Sequence, residues 1–407
     1  MAAEEARMPE EPPRPVKRLR IALVGAGRRS RAHLPVIAKL TDHFELVAVC
    51  DVREENARSA AERYGVPWYT DLRRMLDEVR PDICDVVVPG EAHHIVAPAI
   101  AAAGVHILVE TPLAITLPAI DLMIAAAREH GVHLEVAENV WRYPYERLKQ
   151  RILASGLAGE PLRGYCVYPT GGYHAVNGAR TYVGGTARRV WGSVRRWPVP
   201  LVTDHAGRQI TEESWTLGVI EFDNGRMAVV EYSNTYSTIL RRDGPRYIGF
   251  AASRGHAFSP SYAGPGTLYV IEGNEARAYP MQEEVRQYNG VRVPLRFYVE
   301  TDPPVVYENP FAAYGVTAGE IAVADELASI HRAVAEGREP EYGAAAGRHD
   351  QEIVIALHES SRLGRPVELP LRTLTGYETE LHERFRAEHG YDILDTEALL
   401  QHAFPVR

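Results

Sequence analysis

The stretch Val24-Gly25-Ala26-Gly27-Arg28-Arg29-Ser30 follows an apolar, β-branched run and opens an amphipathic segment that extends to Leu40. A strand that passes through a glycine-rich turn into a helix is typical of the first turn of a dinucleotide-binding βαβ unit. Gly25 permits the tight turn, and Gly27 lets a pyrophosphate approach the backbone. The small side chain of Ser30 allows the helix to contact the strand. The stretch therefore predicts a Rossmann domain.

An acidic residue follows at the spacing that such a domain uses. Asp51 ends the second strand-like run, 24 residues after Gly27, where its carboxylate can hydrogen-bond the adenosine ribose 2′-hydroxyl. Because this carboxylate repels a 2′-phosphate, the sequence predicts NAD as the cofactor. Arg53 leaves NADP as the less favoured alternative, since a guanidinium beside Asp51 could receive that phosphate. Arg28 and Arg29 could pair with the pyrophosphate or face solvent.

The rest of the chain divides into two halves with different sequence patterns. β-branched runs alternate with amphipathic segments as far as Glu138, which is typical of a parallel sheet with helices on both faces. After Ala154, the turn-rich stretch SGLAGEPLRG precedes strand-like runs without helices between them. In VIEFDNGRMAVVEY, at 219–232, Asn-Gly between apolar runs predicts a hairpin. The sequence thus predicts an α/β chain, with a doubly wound parallel sheet followed by an α+β domain whose sheet is mostly antiparallel.

Helical periodicity returns at Thr317 to Glu336 and at His349 to Leu363. We expect these helices to pack back onto the body of the protein. The pieces after about Thr373 indicate a surface extension or a contact with another subunit. The predicted organisation is a flexible leader at 1–17, a Rossmann domain at 18–154, the α+β domain at 155–371 and a C-terminal extension at 372–407.

Composition excludes several classes of function. The net charge of −9 gives no basic excess to displace the counterions of a nucleic acid. No run reaches the roughly 20 apolar residues of a membrane helix, and the proline-rich leader has no apolar core of the kind found in signal peptides. The three cysteines, two of them in apolar runs, indicate reduced thiols in a cytoplasmic protein. Histidine and cysteine spacings predict no metal site.

Several pieces together, in their order along the chain, resemble the Gfo/Idh/MocA family of NAD(P)-dependent oxidoreductases, which act mainly on sugars, cyclitols and related polyols. The pieces are VGAGRRSRAHLP with His33, CDV at 50–52, GVPWYTDLRRML, the segment ending in His94, AAAGVHILVETPLA and ENVWRYP at 138–144. The resemblance implies hydride transfer at a C–OH carbon of a sugar-like small molecule. It also implies that the second domain binds substrate and that its open-faced sheet joins subunits into a homodimer or homotetramer.

The family's catalytic residues are only partly present. Its Glu-Lys-Pro is replaced by Glu110-Thr111-Pro112, and threonine cannot stabilise a developing alkoxide with a positive charge as lysine can. The family's Asp, four residues before a His, is replaced by Thr170, while the His is retained as His174. Pro89-Gly90-Glu91 stands in place of the usual Thr-Pro-Asn.

Carried onto this sequence, the resemblance implies His174 as the acid/base, with Thr111 in the place of the lysine. It implies cofactor contacts for Gly25, Gly27, Arg28, Arg29, Ser30, Asp51, Val52, Arg53, Pro89, Gly90, His94, Glu110, Thr111, Pro112 and Asn139. It implies substrate contacts for Arg142, Tyr143, Tyr173, His174 and Asn177. Arg142 could equally pair with a nearby carboxylate.

Three functions remain open on the sequence. In the first, His174 alone moves the proton in a dehydrogenase, since histidine titrates near neutral pH. In the second, tightly held NAD is recycled within each turnover by a lyase, epimerase or glycoside-cleaving enzyme, with Glu138, Tyr143, Tyr173 or His205 as an extra base. In the third, the chain is a non-catalytic NAD-binding sensor.

Overall fold

The computed structural model describes residues 17–169, 171–203, 209–233, 246–288 and 290–404. The predicted leader, apart from its last residue, lies outside the described residues, as do Thr170 and His205.

Strands and helices alternate in the N-terminal part, as predicted. The strands are β1 (Leu19–Val24), β2 (Phe44–Cys50), β3 (Trp68–Tyr69), β4 (Ile83–Val86), β5 (His106–Glu110) and β6 (Leu134–Ala137). The helices are α1 (Ser30–Lys39), α2 (Glu54–Tyr64), α3 (Leu72–Val79), α4 (His93–Ala102) and α5 (Leu117–Glu129). All strand pairs are parallel, in the order β3-β2-β1-β4-β5-β6. This is the doubly wound order, which binds ligands where the order reverses, at the carboxyl ends of β1 and β4.

The second domain is built around a large mixed sheet. A turn of 3-10 helix (Val140–Arg142) and α6 (Pro144–Ala154) lead into it, and α7 (Gly172–Val183) follows its first strand. Its strands are β7 (Pro161–Val167), β8 (Ala187–Thr203), β9 (Gln209–Phe222), β10 (Met227–Ser233), β11 (Tyr247–Ala252), β12 (Gly255–Ser259), β13 (Thr267–Glu272), β14 (Glu275–Pro280) and β18 (Val367–Glu368). Among the described residues, these strands pair in the order β14-β13-β12-β11-β7-β10-β9-β8-β18, with only β7 and β10 parallel. A smaller antiparallel sheet contains β15 (Gln282–Tyr288), β16 (Val291–Val299) and β17 (Val305–Glu308).

The predicted hairpin is confirmed. β9 and β10 pair in antiparallel register, and the backbone N–H of Phe222 donates to the carbonyl of Arg226 across the turn. Gly225 adopts a φ of 78°, which glycine tolerates without strain. The mostly antiparallel second sheet is confirmed with it.

The two predicted C-terminal helices are present as α8 (Ile321–Glu336) and α9 (Ala344–Leu363). The chain between them returns to the first sheet: the N–H of Val136 donates to the carbonyl of Tyr342, and Glu135 pairs with Gly343 in an isolated bridge. A segment of the second domain therefore covers β6, the edge strand of the Rossmann sheet.

The C-terminal extension folds as α10 (Gly376–His389) and α11 (Thr396–Leu399), and it packs against the Rossmann domain of its own chain. The carboxylate of Glu378 accepts from Thr375 at the start of α10 and from the N–H of Leu117, at the start of α5. The side chain of Thr116 makes no capping bond to α5. The N-terminus of α5 is thus capped from the extension, about 260 residues further along the chain.

In the described part of the chain, no helix combines the length and the apolar character needed to cross a bilayer.

Candidate active site

A cavity lies at the carboxyl ends of β1, β2 and β4, where the strand order reverses. Of the predicted cofactor residues, it brings together Gly25, Gly27, Arg28, Arg29, Asp51, Val52, Arg53 and Pro89. Its other lining residues are Val24, Cys50, Asn56, Thr70, Leu72, Val87, Val88, Ala92, Ile95, Val96, Leu399, Leu400, His402 and Phe404. The sequence did not point to Asn56 or to the four C-terminal residues, since they belong to no local motif.

The two glycines of the first turn serve the cavity in different ways. Gly25 has a φ of 97°, and a Cβ atom there would lie 2.7 Å from the backbone nitrogen of Val88. A Cβ atom at Gly27 would meet no atom within 4 Å. Gly25 is therefore required by the fold, whereas Gly27 leaves open the space into which a pyrophosphate fits. Ser30 is buried, and its hydroxyl donates to the carbonyl of Gly27 over 2.6 Å.

Asp51 joins the end of β2 to the glycine turn. Its carboxylate accepts from the N–H of Ala26 over 2.7 Å and from the N–H of Arg53 over 2.8 Å. The amide of Asn56 lies 3.5 Å from the same carboxylate. The open space at Gly27 and a carboxylate in the same cavity fit a dinucleotide with a free ribose 2′-hydroxyl.

His94, which was predicted to contact the cofactor, is not among the residues that line this cavity. It is fully buried on α4, and its Nε2 atom lies 2.6 Å from the carbonyl oxygen of Ile393 in the C-terminal extension. Burial lowers the pKa of His94 to about 4, so its ring is neutral and binds the extension to α4.

A cluster of charges lies at the end of β5. Glu110 accepts hydrogen bonds from Arg29 and from His33 Nε2, the latter over 2.9 Å, while His33 Nδ1 bonds to Asp85 over 3.0 Å. Burial lowers the pKa of His33, but the carboxylates of Asp85 and Glu110 outweigh it and raise that pKa to about 10. The imidazole is therefore charged at neutral pH, and both of its nitrogens donate.

Glu326 of α8 completes this cluster from the second domain. Its Oε1 lies 3.8 Å from His33 Nε2, and burial raises the pKa of Glu326 to about 8. Glu110, His33 and Glu326 lie close enough together to hold a metal ion in principle. Because both His33 nitrogens donate and Arg29 binds Glu110, the arrangement is that of an ion-pair network.

Thr111 lies against this cluster. Its N–H donates to Glu110 over 2.9 Å, and its hydroxyl lies 3.4 Å from the same oxygen. Gly90 lies beside Pro112, because a Cβ atom on Gly90 would be 3.1 Å from the proline ring. Asn139, which precedes the 3-10 turn, is half-buried.

His174 of α7 forms a pair with Glu138, which follows β6. His174 Nδ1 lies 2.9 and 3.0 Å from the two carboxylate oxygens, and Glu138 is fully buried while 29% of the His174 side chain is exposed. Burial lowers the pKa of His174, but Glu138 outweighs it, so the pKa is raised above 6.5. Glu110 also raises this pKa and Arg29 lowers it, so charges of the cluster at β5 act on the histidine.

Arg142, which was predicted as a substrate contact, pairs with carboxylates of the protein itself. Its side chain is fully buried and donates to Glu135 over 2.8 Å and to Glu341 over 2.9 Å. Its guanidinium also lies 4.6 Å from the Trp141 ring centroid. The alternative that it pairs with carboxylates is therefore confirmed.

Tyr173 and Asn177, also predicted as substrate contacts, bond to groups of the protein itself. The Tyr173 hydroxyl bonds to that of Tyr342 over 3.1 Å, and the Asn177 amide donates to Asp350 over 3.0 Å. Both side chains are buried, because they lie on the face of α7 that packs toward α9. Tyr143 is half-buried and stacks on Tyr262. Burial raises the pKa of Tyr143, against the opposing charge of Arg29.

An aromatic cleft lies beside the start of α7. Its residues are Val167, Tyr168, Pro169, Trp197, Glu213, Trp215, Glu231, Tyr232 and Ser233. Gly172 touches it, since a Cβ atom there would lie 2.5 Å from the Tyr232 hydroxyl. The Trp215 indole donates to Glu231 over 3.1 Å. Aromatic side chains with carboxylates beside them can pack against a ligand ring and hydrogen-bond its hydroxyl groups.

The glycine turn, the strand order and the appended sheet define a two-domain protein with a dinucleotide-binding Rossmann domain. A family model described as an oxidoreductase family with an NAD-binding Rossmann fold matches residues 19–138. Over these residues the chain is similar to the Gfo/Idh/MocA family. The predicted NAD-binding fold is thereby confirmed.

Similar proteins cover different shares of the chain. D-apiose dehydrogenase of Paraburkholderia graminis is 35% identical over 150 residues, which are 37% of this chain and 40% of that protein. Glycosyl hydrolase family 109 protein 1 of Akkermansia muciniphila is 29% identical over 161 residues, 37% of this chain and 33% of that protein. The match thus spans two fifths or less of these relatives. The solved structure of levoglucosan dehydrogenase with NADH has a TM-score of 0.69 at 20% identity, covering 88% of this chain and 100% of that chain. This likeness extends the shared fold to the second domain.

The difference between the two glycines predicts different outcomes for one substitution. Gly27→Ala should leave the melting temperature unchanged but raise the Kd for NADH at least about tenfold, because the new methyl group occupies the pyrophosphate space. Gly25→Ala should destabilise the protein itself, because its Cβ atom meets the backbone after β4. Thermal unfolding and NADH fluorescence titration measure the two effects. Normal NADH binding by folded Gly27→Ala would contradict the assignment.

Proposed function

We propose that the chain is an NAD-dependent dehydrogenase that oxidises a C–OH carbon of a sugar, cyclitol or polyol derivative. The observation that carries this proposal is the His174–Glu138 pair beside the Glu110–Arg29 cluster. When bound, NAD supplies the hydride acceptor. The residues of the chain then have to take the hydroxyl proton and stabilise the negative charge that develops on oxygen.

His174 is the proton acceptor in this proposal. Its Nδ1 atom is committed to Glu138, so Nε2 is the nitrogen that exchanges a proton with the substrate. The buried carboxylate holds the ring in one orientation and stabilises the imidazolium that forms. Glu138 thus acts as a positioning residue, in the role that the family's aspartate would fill. It does so from the end of β6, 36 residues before His174 in the chain.

Arg29 provides the positive charge that Thr111 lacks. Its guanidinium bonds to Glu110, the residue next to Thr111, and 39% of its side chain remains exposed at the cofactor cavity. His33 donates to Glu110 and fixes the position of its carboxylate, and the carboxylate in turn holds Arg29 in place. A guanidinium held there can stabilise a developing alkoxide as a lysine would. Tyr143 and the aromatic cleft would contact the sugar ring.

Replacing His174 tests whether the chain is an enzyme or a binding module. His174→Ala should lower kcat by about 10²- to 10⁴-fold and leave the Kd for NADH nearly unchanged, because the ring takes the proton rather than holding the cofactor. A panel of sugars and polyols, with NADH formation as the readout, identifies the substrate for this measurement. His256→Ala, on β12 of the large sheet, is the matched control. Unchanged turnover in His174→Ala would rule out this base.

The His174–Glu138 pair also predicts a pH dependence. In the native enzyme, kcat/KM should rise with pH through a pKa above 6.5, because the base must be neutral and Glu138 and Glu110 raise its pKa against the opposing charge of Arg29. Glu138→Gln removes the charge that raises the pKa of His174 most. The rise of kcat/KM with pH should therefore move to lower pH, while kcat falls about tenfold or more. Glu138→Asp, which keeps the charge, should retain part of the shift. If kcat/KM of Glu138→Gln rose at the same pH as in the native enzyme, the proposed effect of Glu138 on His174 would be contradicted.

Arg29 can be tested against its neighbour in the same turn. Arg29→Ala should lower kcat about 10²-fold at saturating NAD, and Arg29→Lys should recover part of this loss because the positive charge returns. Arg28→Ala, which removes an exposed cation one residue away, should change the Kd for NAD more than kcat. Equal kcat in Arg28→Ala and Arg29→Ala would show that Arg29 has no special role.

Redox-neutral catalysis with recycled NAD is the second candidate. It is favoured by the position of Leu399, Leu400, His402 and Phe404 on the cofactor cavity, where they would hinder release. NAD(H) retained at about one per chain after purification would support it, and an empty protein would favour a cofactor that exchanges.

We further propose a homodimer or homotetramer that forms through the large sheet. Support comes from the exposed apolar side chains of Trp191 and Leu201 on β8 and Ile271 on β13. The three cysteines are buried free thiols, which accords with the proposed cytoplasmic location.

A further inference from the structure

The last described residues of the chain form one side of the cofactor cavity. We call the segment Thr396–Phe404 the C-terminal wall. It contributes Leu399, Leu400, His402 and Phe404 to a cavity whose other side holds Asp51 and Arg53. Asp51 marks the adenosine half of a dinucleotide site, so the wall faces that half.

The wall is anchored by a small apolar core of its own. Leu399 and Phe404 are buried with Ala92, Ile95, Phe385 and Ile393, which come from the start of α4 and from the extension. Polar contacts fasten the same region: His94 bonds to the carbonyl of Ile393, and Arg73 donates to Glu397 over 2.7 Å. The wall is therefore seated on α3 and α4, the helices that flank the cavity.

A hydrogen bond joins the wall to the opposite side of the cavity. Arg53 Nη2 donates to the carbonyl oxygen of Phe404 over 2.7 Å. The backbone N–H of the same arginine donates to Asp51, so the bond links the wall to the residue that recognises the ribose. While its guanidinium binds this carbonyl oxygen, Arg53 is not available to bind a 2′-phosphate.

We propose that the C-terminal wall is part of the cofactor site, where it covers the adenosine half, slows the release of NAD and commits Arg53 to the wall so that a 2′-hydroxyl is preferred. This inference rests on the proposed NAD cofactor. For NAD to be released, the wall must then move away from α3 and α4, which breaks the packing of Phe404 and the hydrogen bond from Arg53. Cofactor exchange is thereby governed by a segment far from the glycine turn in sequence.

Release kinetics test the wall directly in the full-length protein. Stopped-flow displacement of NADH should show dissociation at least about tenfold faster in Phe404→Ala and in Arg53→Ala than in the native chain. Because both substitutions free the same segment, the double variant should be little faster than either single one. Leu394→Ala, which removes an exposed side chain from the same extension, is the matched control. Rates in Phe404→Ala equal to those of this control would overturn the proposal.

Specificity gives a second readout on the same variants. Phe404→Ala removes the packing that holds the wall in place. The backbone carbonyl at position 404 should then move away from Arg53, so the ratio of the Kd values for NADPH and NADH should fall relative to the native chain. Phe404→Ala combined with Arg53→Ala should remove this gain, because no guanidinium is left to receive the phosphate. A ratio that stays constant across these variants would overturn the assignment of Arg53.

Hydrogen exchange separates the wall from the proposed cofactor without any substitution. ADP-ribose should slow amide exchange in residues 396–404 of the native chain, and nicotinamide mononucleotide, which lacks adenosine, should not. Protection of the glycine turn without protection of the wall would overturn the inference and leave NAD binding intact. Failure of both regions to respond to NAD or ADP-ribose would instead overturn the proposed cofactor, and the wall with it.

Discussion

The buried carboxylate of Glu110 connects the parts of the site that come from different elements. It accepts from Arg29 in the first glycine turn, from His33 within α1 and from the backbone of Thr111. A carboxylate with so little exposure is stable in its charged form only because cations and N–H groups surround it. The same bonds fix Arg29 at the cofactor cavity and set the field around His174. Loss of Glu110 would therefore leave the guanidinium of Arg29 without this partner, and His33 would keep only its bond to Asp85.

Around this carboxylate, the charged groups of the candidate site come from loops that are separate in the chain. Position 111 is a threonine, and the cation that binds Glu110 is Arg29, from the loop after β1. The carboxylate that pairs with His174 is Glu138, which follows β6. Loops at the carboxyl ends of parallel strands converge on one edge of a sheet, so a charge lost from one loop can be supplied by another.

The parts of the protein that could be predicted are those with local signals. The glycine turn, the spacing to Asp51 and the Asn-Gly hairpin depend on residues close together in sequence, and each was found where expected. Arg142 shows what had no local signal: its partners Glu135 and Glu341 lie on either side of it in the sequence, and only the return of the chain after α8 brings the second one near. The internal partners of Tyr173, Asn177 and His94 lay beyond the reach of the sequence for the same reason. The role of the C-terminal wall had no signal at all, because its significance lies in what it packs against.

The pairing of Val136 and Glu135 with residues 342 and 343 has a consequence for modularity. The edge strand of a sheet left bare is a template for pairing with other chains, and proteins normally shield it. In this protein the shield is made by a segment some 200 residues downstream, so the nucleotide-binding module is not self-sufficient. If the nucleotide-binding module were cut off after residue 138, where the family model ends, its edge strand β6 would be unpaired and the module would tend to aggregate. Exchange of this module between related proteins, by recombination or by design, would have to carry the downstream segment along.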